Sequence, residues 1–182
     1  MPRKSGTQIL ADINSVIVDN VTGLITPAAM RTLLTNFCES VIAYGKIVAR
    51  TTAGSVTATA SGVAFPFTTE VGSNPYFTAT LPNGVITVSD PTTPQFMRFS
   101  FVVQGTLPNN ADVRFVVKKN NVDTPWETRV RSATTGDPFT ADLTGAVASA
   151  NNDTFQLVAY AAGNTVVTLS QVEFTCETTF TQ

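Results

Sequence analysis

The sequence predicts a mainly β protein, in which a short N-terminal helical anchor is followed by an antiparallel jelly-roll β-sandwich. Three observations carry that reading. From residue 46 onward short runs of β-branched and aromatic residues, drawing on 12 phenylalanines, alternate apolar with polar positions, as a pleated, half-buried surface requires. Turn signals interrupt these runs about every 8–12 residues, the spacing of sandwiches and jelly rolls. No strand–helix alternation is present, so a parallel sheet is not expected.

Residues 1–45 read differently. Thr26 is a helix cap and Pro27 suits the first helical position, where its missing N–H costs nothing. Met30, Leu33, Leu34, Phe37, Val41 and Ile42 then recur at helical spacing and make one apolar stripe, with Gly45 at its stop. Ile9, Ile13, Val16 and Ile17 repeat the rhythm upstream, and Asp19 to Gly23 form a turn between the two. This segment is too small to bury its own stripe. The stripe either packs under the β-domain or, as the composition change at residue 46 favours, binds another copy or another protein.

Residues 46–182 supply the strands in order. Lys46 to Arg50, Ser55 to Ala60 and Val63 to Phe67 come first; Tyr76 to Leu81 and Val85 to Ser89 follow, split by a Pro82-Asn83-Gly84 turn. Phe99, Phe101 and Val103 point one way and Arg98, Ser100 and Val102 the other, and pairing with Val113, Phe115 and Val117 would cover one face. Arg114, Val116 and Lys118 lie opposite. Lys119 to Asp123 form a hairpin tip, and Trp126 to Arg131 return from it. Phe139, Ala141 and Leu143 begin the next strand. Phe155, Leu157 and Ala159 alternate with Gln156, Val158 and Tyr160, and Val172, Phe174 and Cys176 oppose Glu173 and Thr175. If Val102, Val116, Val158 and Tyr160 all point outward, they form an apolar patch of the kind that marks a subunit interface. A register shifted by one would place them in the core instead.

Composition excludes several functions. With no histidine among 182 residues, Ser-His-Asp and Cys-His nucleophiles and His-ligated metals are absent. Two cysteines cannot build a structural zinc site alone. A net charge of −2 provides no field for nucleic acid. Asp12, Asn14, Asp19 and Asn20 break the apolar run from Ile9 to Val21, so a signal peptide is not expected, and no apolar stretch is long enough for a membrane span. The protein is expected to be made in the cytoplasm, with Cys38 and Cys176 as reduced thiols.

Two resemblances cover most of the chain. Asp19 to Leu34, Asp-Asn-Val-Thr-Gly-Leu-Ile-Thr-Pro-Ala-Ala-Met-Arg-Thr-Leu-Leu, resembles a stretch near the start of many tailed-phage fibre and head-associated proteins, where it precedes a variable outer domain. The order of elements from Phe99 through the Lys119-Asn120 tip and Trp126, then Phe139 to Leu143, Asn151 to Tyr160 and Val172 to Phe174, is similar to jelly rolls of the tumour-necrosis-factor type. Family members often carry Gly-Asp before the penultimate strand, where this chain has Asn152-Asp153. The second resemblance implies a homotrimer, three jelly rolls packed about an axis by one apolar sheet face.

Candidate chemistry is sparse. Asp137, Asp142 and Asp153 offer oxygen ligands for calcium, but their spacing matches no EF-hand loop and reads as solvated loop. Asp123 and Glu127 have the residue types of a glycosidase pair without anything to position them. Gly136 and Gly145 are isolated rather than a phosphate loop. Lys118 and Lys119 beside Asn120 and Asn121 make a solvated tip, and Trp126 with Arg129 and Arg131 suits a glycan or a neighbouring subunit less well than core or interface packing. No catalytic residue, metal or cofactor is assigned.

The expected function is that of a non-enzymatic bacteriophage virion protein, a capsid decoration (cement) protein that binds the assembled head as a trimer. Its partners would be itself and the major capsid protein or another virion protein, with no nucleic acid and no membrane, and its place the capsid surface. The alternative is a short head or tail fibre whose outer loops recognise a host surface glycan. Alkylation of the denatured, unreduced protein is expected to label both Cys38 and Cys176; labelling of neither would reveal a disulfide.

Overall fold

Alternating apolar and polar side chains from Lys46 onward give extended strands whose apolar sides face one another across a single core. The computed structural model describes residues 46–72, 76–89 and 95–179, together with Ala11 and Thr32, both in helical conformation. Contacts divide the chain into two units, Met1–Tyr44 with Pro91–Thr93 and Gly45–Asp90 with Pro94–Gln182. The helical hairpin expected over residues 1–45, with Met30, Leu33, Leu34, Phe37, Cys38 and Val41, lies outside the described residues.

The second unit is built from β1 (Lys46–Thr51), β2 (Gly54–Ala58), β3 (Val63–Ala64), β4 (Thr69–Val71), β5 (Phe77–Thr80), β6 (Val85–Val88), β7 (Gln95–Leu107), β8 (Asp112–Lys119), β9 (Val122–Arg131), β10 (Asp137–Ser149), β11 (Thr154–Ala161) and β12 (Thr165–Thr179). A 3-10 turn at Leu81–Asn83 joins β5 to β6 and closes on Gly84, whose φ of 63° needs no Cβ to be accommodated. Two six-stranded sheets result: β10-β7-β12-β1-β4, with β2 also on β12, and β5-β6-β11-β8-β9, with β3 also on β11. Every pairing between these strands is antiparallel. The mainly β, antiparallel, jelly-roll-like fold expected from the sequence is therefore the fold of the described residues.

Phe65, Phe99, Phe101, Phe115, Phe155 and Phe174 are all buried in the layer between the sheets. Each contributes roughly 1.5–3 kcal/mol by leaving water. Phe115 on β8 stacks on Phe139 of β10 at 5.7 Å, and Phe99 on β7 meets Trp126 of β9 edge-on at 6.0 Å. Both pairs join one sheet to the other. Cys176 is a buried thiol in the same layer, and burial pushes its ionisation far above the ordinary thiol value, which removes thiolate chemistry.

One expectation changes. The alternation of β7 and β8 suggests that they pair side by side, but they lie in opposite sheets. The chain crosses over between Pro108 and Ala111, where Ser132 staples the crossing. Its hydroxyl donates to the Pro108 carbonyl and accepts from the Ala111 amide at 3.0 Å. Trp126 packs inward against Phe99, and Arg129 and Arg131 sit on the opposite face of β9. Gly145, isolated in the sequence, gives two rings their space: a Cβ there would come within 2.6 Å of Phe99 and 2.7 Å of Trp126.

Gly105 is a second close approach. A Cβ there would collide with the Thr168 carbonyl oxygen, next to the register shift between Leu169 and Gln171 of β12. Gly163 has open space around it. Gly105→Ala is expected to cost about 1–3 kcal/mol in urea unfolding, while Gly163→Ala stays within about 0.5 kcal/mol. Equal effects would show that the backbone approach at Gly105 is unimportant.

Candidate functional site

Period-two alternation puts Arg114, Val116 and Lys118 of β8 and Gln156, Val158 and Tyr160 of β11 on the side of their sheet away from the core. Val116 pairs with Val158 and Arg114 with Tyr160 in the register of the two strands. On β9, Glu127 lies opposite Val116, and Arg129 opposite Arg114. A charged surface would not bury valines, yet Val116 is 0% and Val158 4% exposed.

The chain itself covers them. Residues Thr59 to Gly62 fold across β11: the Thr59 carbonyl accepts from the Gly62 and Ala161 amides, each at 3.1 Å. Gly62, at φ +80°, lies so close that a Cβ would come within 2.8 Å of Val158 Cγ1 and 2.6 Å of the Tyr160 ring. Long cationic side chains complete the cover. Arg114 lies over the Tyr160 ring with its Cζ 4.6 Å from the centroid, and Lys118 Nζ stands 5.5 Å from it.

These cations are tied to carboxylates. Arg114 donates from Nη1 to Glu127 at 2.8 Å and from Nη2 to Asp123 at 3.2 Å. Tyr160 donates its hydroxyl to Asp123 at 2.7 Å, and Lys118 Nζ lies 3.7 Å from the same carboxylate. The Lys118 ammonium is held above its ordinary value by Tyr160 first and by Asp123 in addition, against some desolvation. Asp123 and Glu127 are thus brought together as sequence proximity hinted, but as the two acceptors of one guanidinium rather than as a free acid–base pair.

At the other end of β8 and β9, Asp112 takes Arg129 Nε at 2.7 Å and Arg131 Nε at 3.0 Å. Desolvation works against ionisation of Asp112, and the two guanidiniums outweigh it, so its carboxyl titrates below the ordinary value. Beside this group Ala60, Arg114, Tyr160, Ala161 and Ala162 line an open cleft of about 290 Å³. Arg114, Asp112 and Gly62 were missed in the sequence. The period-two charges Arg129 and Arg131 were the available signal, but only the register with β8 shows what lies beneath them.

Val102 is elsewhere. It lies on β7 in the opposite sheet, between Asp142 of β10 and Glu173 of β12. The four residues expected to make one apolar patch, Val102, Val116, Val158 and Tyr160, are therefore divided between two sheets, and two of them are roofed by their own chain. The outer face around Val102 carries other apolar groups, Phe96 and Val71, 49% and 50% exposed. Four of its charges are paired, Lys46 with Glu177 at 3.1 Å and Arg50 with Glu173 at 2.8 Å, and Arg98 and Asp142 lie on it as well.

The three aspartates weighed for calcium are also separated by role. Asp137 closes its own turn by accepting from the Thr134 hydroxyl and the Thr134 and Ala133 amides, bonds that lower its carboxyl pKa. Asp153 accepts from Lys119 at 2.8 Å, Asn120 at 2.6 Å and the Ala150 amide at 2.7 Å. Asp142 faces Val102 across β10 and β7. Among the described residues no group of three His, Cys, Asp or Glu side chains is gathered for a metal. Among them, too, no helix is long and apolar enough to cross a membrane.

No family model matches the chain, and no curated protein matches it. Solved structures do. The Eiger TNF structure from S. frugiperda aligns with TM-score 0.50 and 11% identity, covering 76% of this chain and 92% of that one. The globular domain of zebrafish complement 1qA aligns with TM-score 0.51 and 10% identity, covering 75% of this chain and 97% of that one. The fold is a jelly roll of the TNF and C1q kind. At these identities the likeness concerns the fold alone.

Asp153 provides a pH test. Partial burial would raise its carboxyl, but Lys119, Asn120 and the Ala150 amide hold it below the ordinary value. A folded pKa below the unfolded one stabilises above about pH 4 and is lost as pH falls through the folded value. Asp153→Asn is expected to cost roughly 0.5–1.5 kcal/mol near neutrality, with the gap to the unaltered protein closing below about pH 4. A gap independent of pH in denaturation series would exclude this role for the charge.

Proposed function

We propose that the protein is a bacteriophage virion structural protein, a capsid decoration or cement protein that works as a homotrimer without catalysis. The observation that carries this reading is the joining of two parts: a segment, Asp19 to Leu34, that resembles the start of tailed-phage fibre and head-associated proteins, and directly after it a TNF/C1q-type jelly roll. The jelly roll is the trimerising part. Its contact face is the outside of the β10-β7-β12-β1-β4 sheet, where Val71, Phe96 and Val102 are apolar and Lys46, Arg50, Glu173 and Glu177 are already paired within the chain. Paired charges lower the desolvation cost of bringing such a face against a copy of itself.

The helical segment is the anchor. Its stripe, Met30, Leu33, Leu34, Phe37 and Val41, binds the major capsid protein or another virion protein at the capsid surface. A protein that binds only the assembled shell stabilises that shell by mass action. Three anchors on one trimer raise the effective concentration of each, so the trimer holds where one anchor would dissociate.

Light scattering is expected to give three times the 19.3 kDa chain mass, in solution or on shells, and a truncation beginning at Lys46 is expected to keep its β circular dichroism while losing co-sedimentation with shells that lack the native copy. A monomer under both conditions would remove the trimer. Undiminished attachment of the truncated chain would move the binding surface to the jelly roll, and loss of its β signal would make the segment part of the core.

A further inference from the structure

The cleft at the Asp112 end of β8 and β9 has the parts of a small polar-ligand site. Its apolar lining comes from Ala60, Ala162 and Tyr160, and Ala161 borders it with its methyl turned to the core. Its polar lining is Asp112, Arg114 and Arg129. A volume of about 290 Å³ lies at the low end for small-ligand sites and suits a single ring rather than an extended chain.

Two features make the site ready to bind. Tyr160 is clamped from three sides, by the Gly62 backbone, the Arg114 guanidinium and the hydrogen bond to Asp123. A ligand packed against that ring orders nothing new, so little binding energy is lost to immobilisation. Asp112, in turn, engages both Arg129 and Arg131 through Nε. Among the described residues the terminal amino groups of these two arginines have no hydrogen-bond partner. One carboxylate between two guanidiniums also leaves one positive charge over, whereas Arg114 and Lys118 are balanced by Asp123 and Glu127.

The chemistry of the surroundings then selects the ligand. A spare, oriented guanidinium edge forks to a carboxylate. The Ala60 and Ala162 methyls beside the Tyr160 ring accept the C–H face of a saturated ring, and the Asp112 oxygens accept from ring hydroxyls. A bare inorganic anion would use Arg129 and leave the rest of the cleft idle. We propose that this cleft binds one carboxylated pyranose, a uronic-acid unit of an acidic polysaccharide. The site lies on the sheet opposite the proposed trimer face, so a particle carrying the protein would gain a weak, repeated hold on acidic surface glycans while its anchor stays on the shell.

The test is titration of the full chain with a glucuronic-acid-containing tetrasaccharide, followed by calorimetry and by amide shifts in 15N-edited NMR. The carboxyl-reduced neutral tetrasaccharide and inorganic phosphate serve as competing probes. Binding of the acidic tetrasaccharide is expected, with shifts centred on Tyr160 to Ala162 and residues Asp112 and Arg129. Arg129→Gln is expected to weaken it about tenfold or more, the equivalent of one lost charge-assisted hydrogen-bonded contact. Ala162→Trp, at an exposed position, should fill the cleft and abolish binding while leaving circular dichroism unchanged. No binding at millimolar sugar, equal binding of the neutral analogue or of phosphate, or undiminished binding by both variants would overturn the proposal. Shell attachment by the same variants is expected to be normal, so failure of this site and failure of the anchor are read separately.

Discussion

Two aromatic contacts hold the β9/β10 side of the sandwich closed. Phe115 against Phe139 and Phe99 against Trp126 each take one ring from either sheet, and offset or edge-on ring pairs add about 0.5–1.5 kcal/mol beyond the area they bury. β9 and β10 are the terminal strands of their sheets, each hydrogen-bonded to only one named strand, so they depend on side-chain packing to stay in place. Gly145 makes that packing possible, since any side chain on it would occupy the space of the two rings. Sheet edges that are free in the hydrogen-bonding direction are thereby fixed from the inside.

What the rings fix on the inside, the charges exploit on the outside. With Trp126 facing in, Glu127, Arg129 and the following Arg131 fall into registered positions over β8. Arg114 can then fork to two carboxylates and Asp112 can hold two guanidiniums. Such exposed pairs contribute little to stability individually, typically about 0–1 kcal/mol. Their effect is positional: they hold Tyr160 and the arginines in one arrangement. The two sheets consequently present different outer faces, one a braced polar network beside a cleft, the other apolar groups beside the pairs Lys46–Glu177 and Arg50–Glu173.

The hairpin ends show the same economy at smaller scale. Asn120 and Asn121 take positive φ at the β8–β9 tip, and Asn152 does so before β11, a conformation that asparagine tolerates better than most residues. Asn120 and Asp153 then bond to one another across the two turns, and Lys119 closes the group on the Ala148 carbonyl at 2.6 Å. Two neighbouring chain reversals are held by side chains that the sequence marks only as loop residues.

Much of the fold was legible because strand alternation is local. Phe99, Phe101 and Val103, Val113, Phe115 and Val117, Phe155, Leu157 and Ala159, and Val172, Phe174 and Cys176 all lie in the core on the side that their spacing predicts, since successive side chains on a strand must point to opposite faces. The Lys119 to Asp123 tip and the reversal at Gly84 followed from residue types that accept positive φ. Partnership between strands was not legible in the same way. Period two states which residues share a face, but not which strand lies beside or across from it, so β7 and β8 were paired when the chain in fact crosses between sheets. It also cannot show what passes over a face. Val116 and Val158 point outward as alternation requires, and they are nevertheless covered, because Gly62 lets a distant loop lie on Val158 and Tyr160 and because Arg114 and Lys118 fold over the ring. Alternation is a property of consecutive residues; sheet membership, cover and the Asp112 cleft are properties of segments brought together from far apart, and only the tertiary structure decides them.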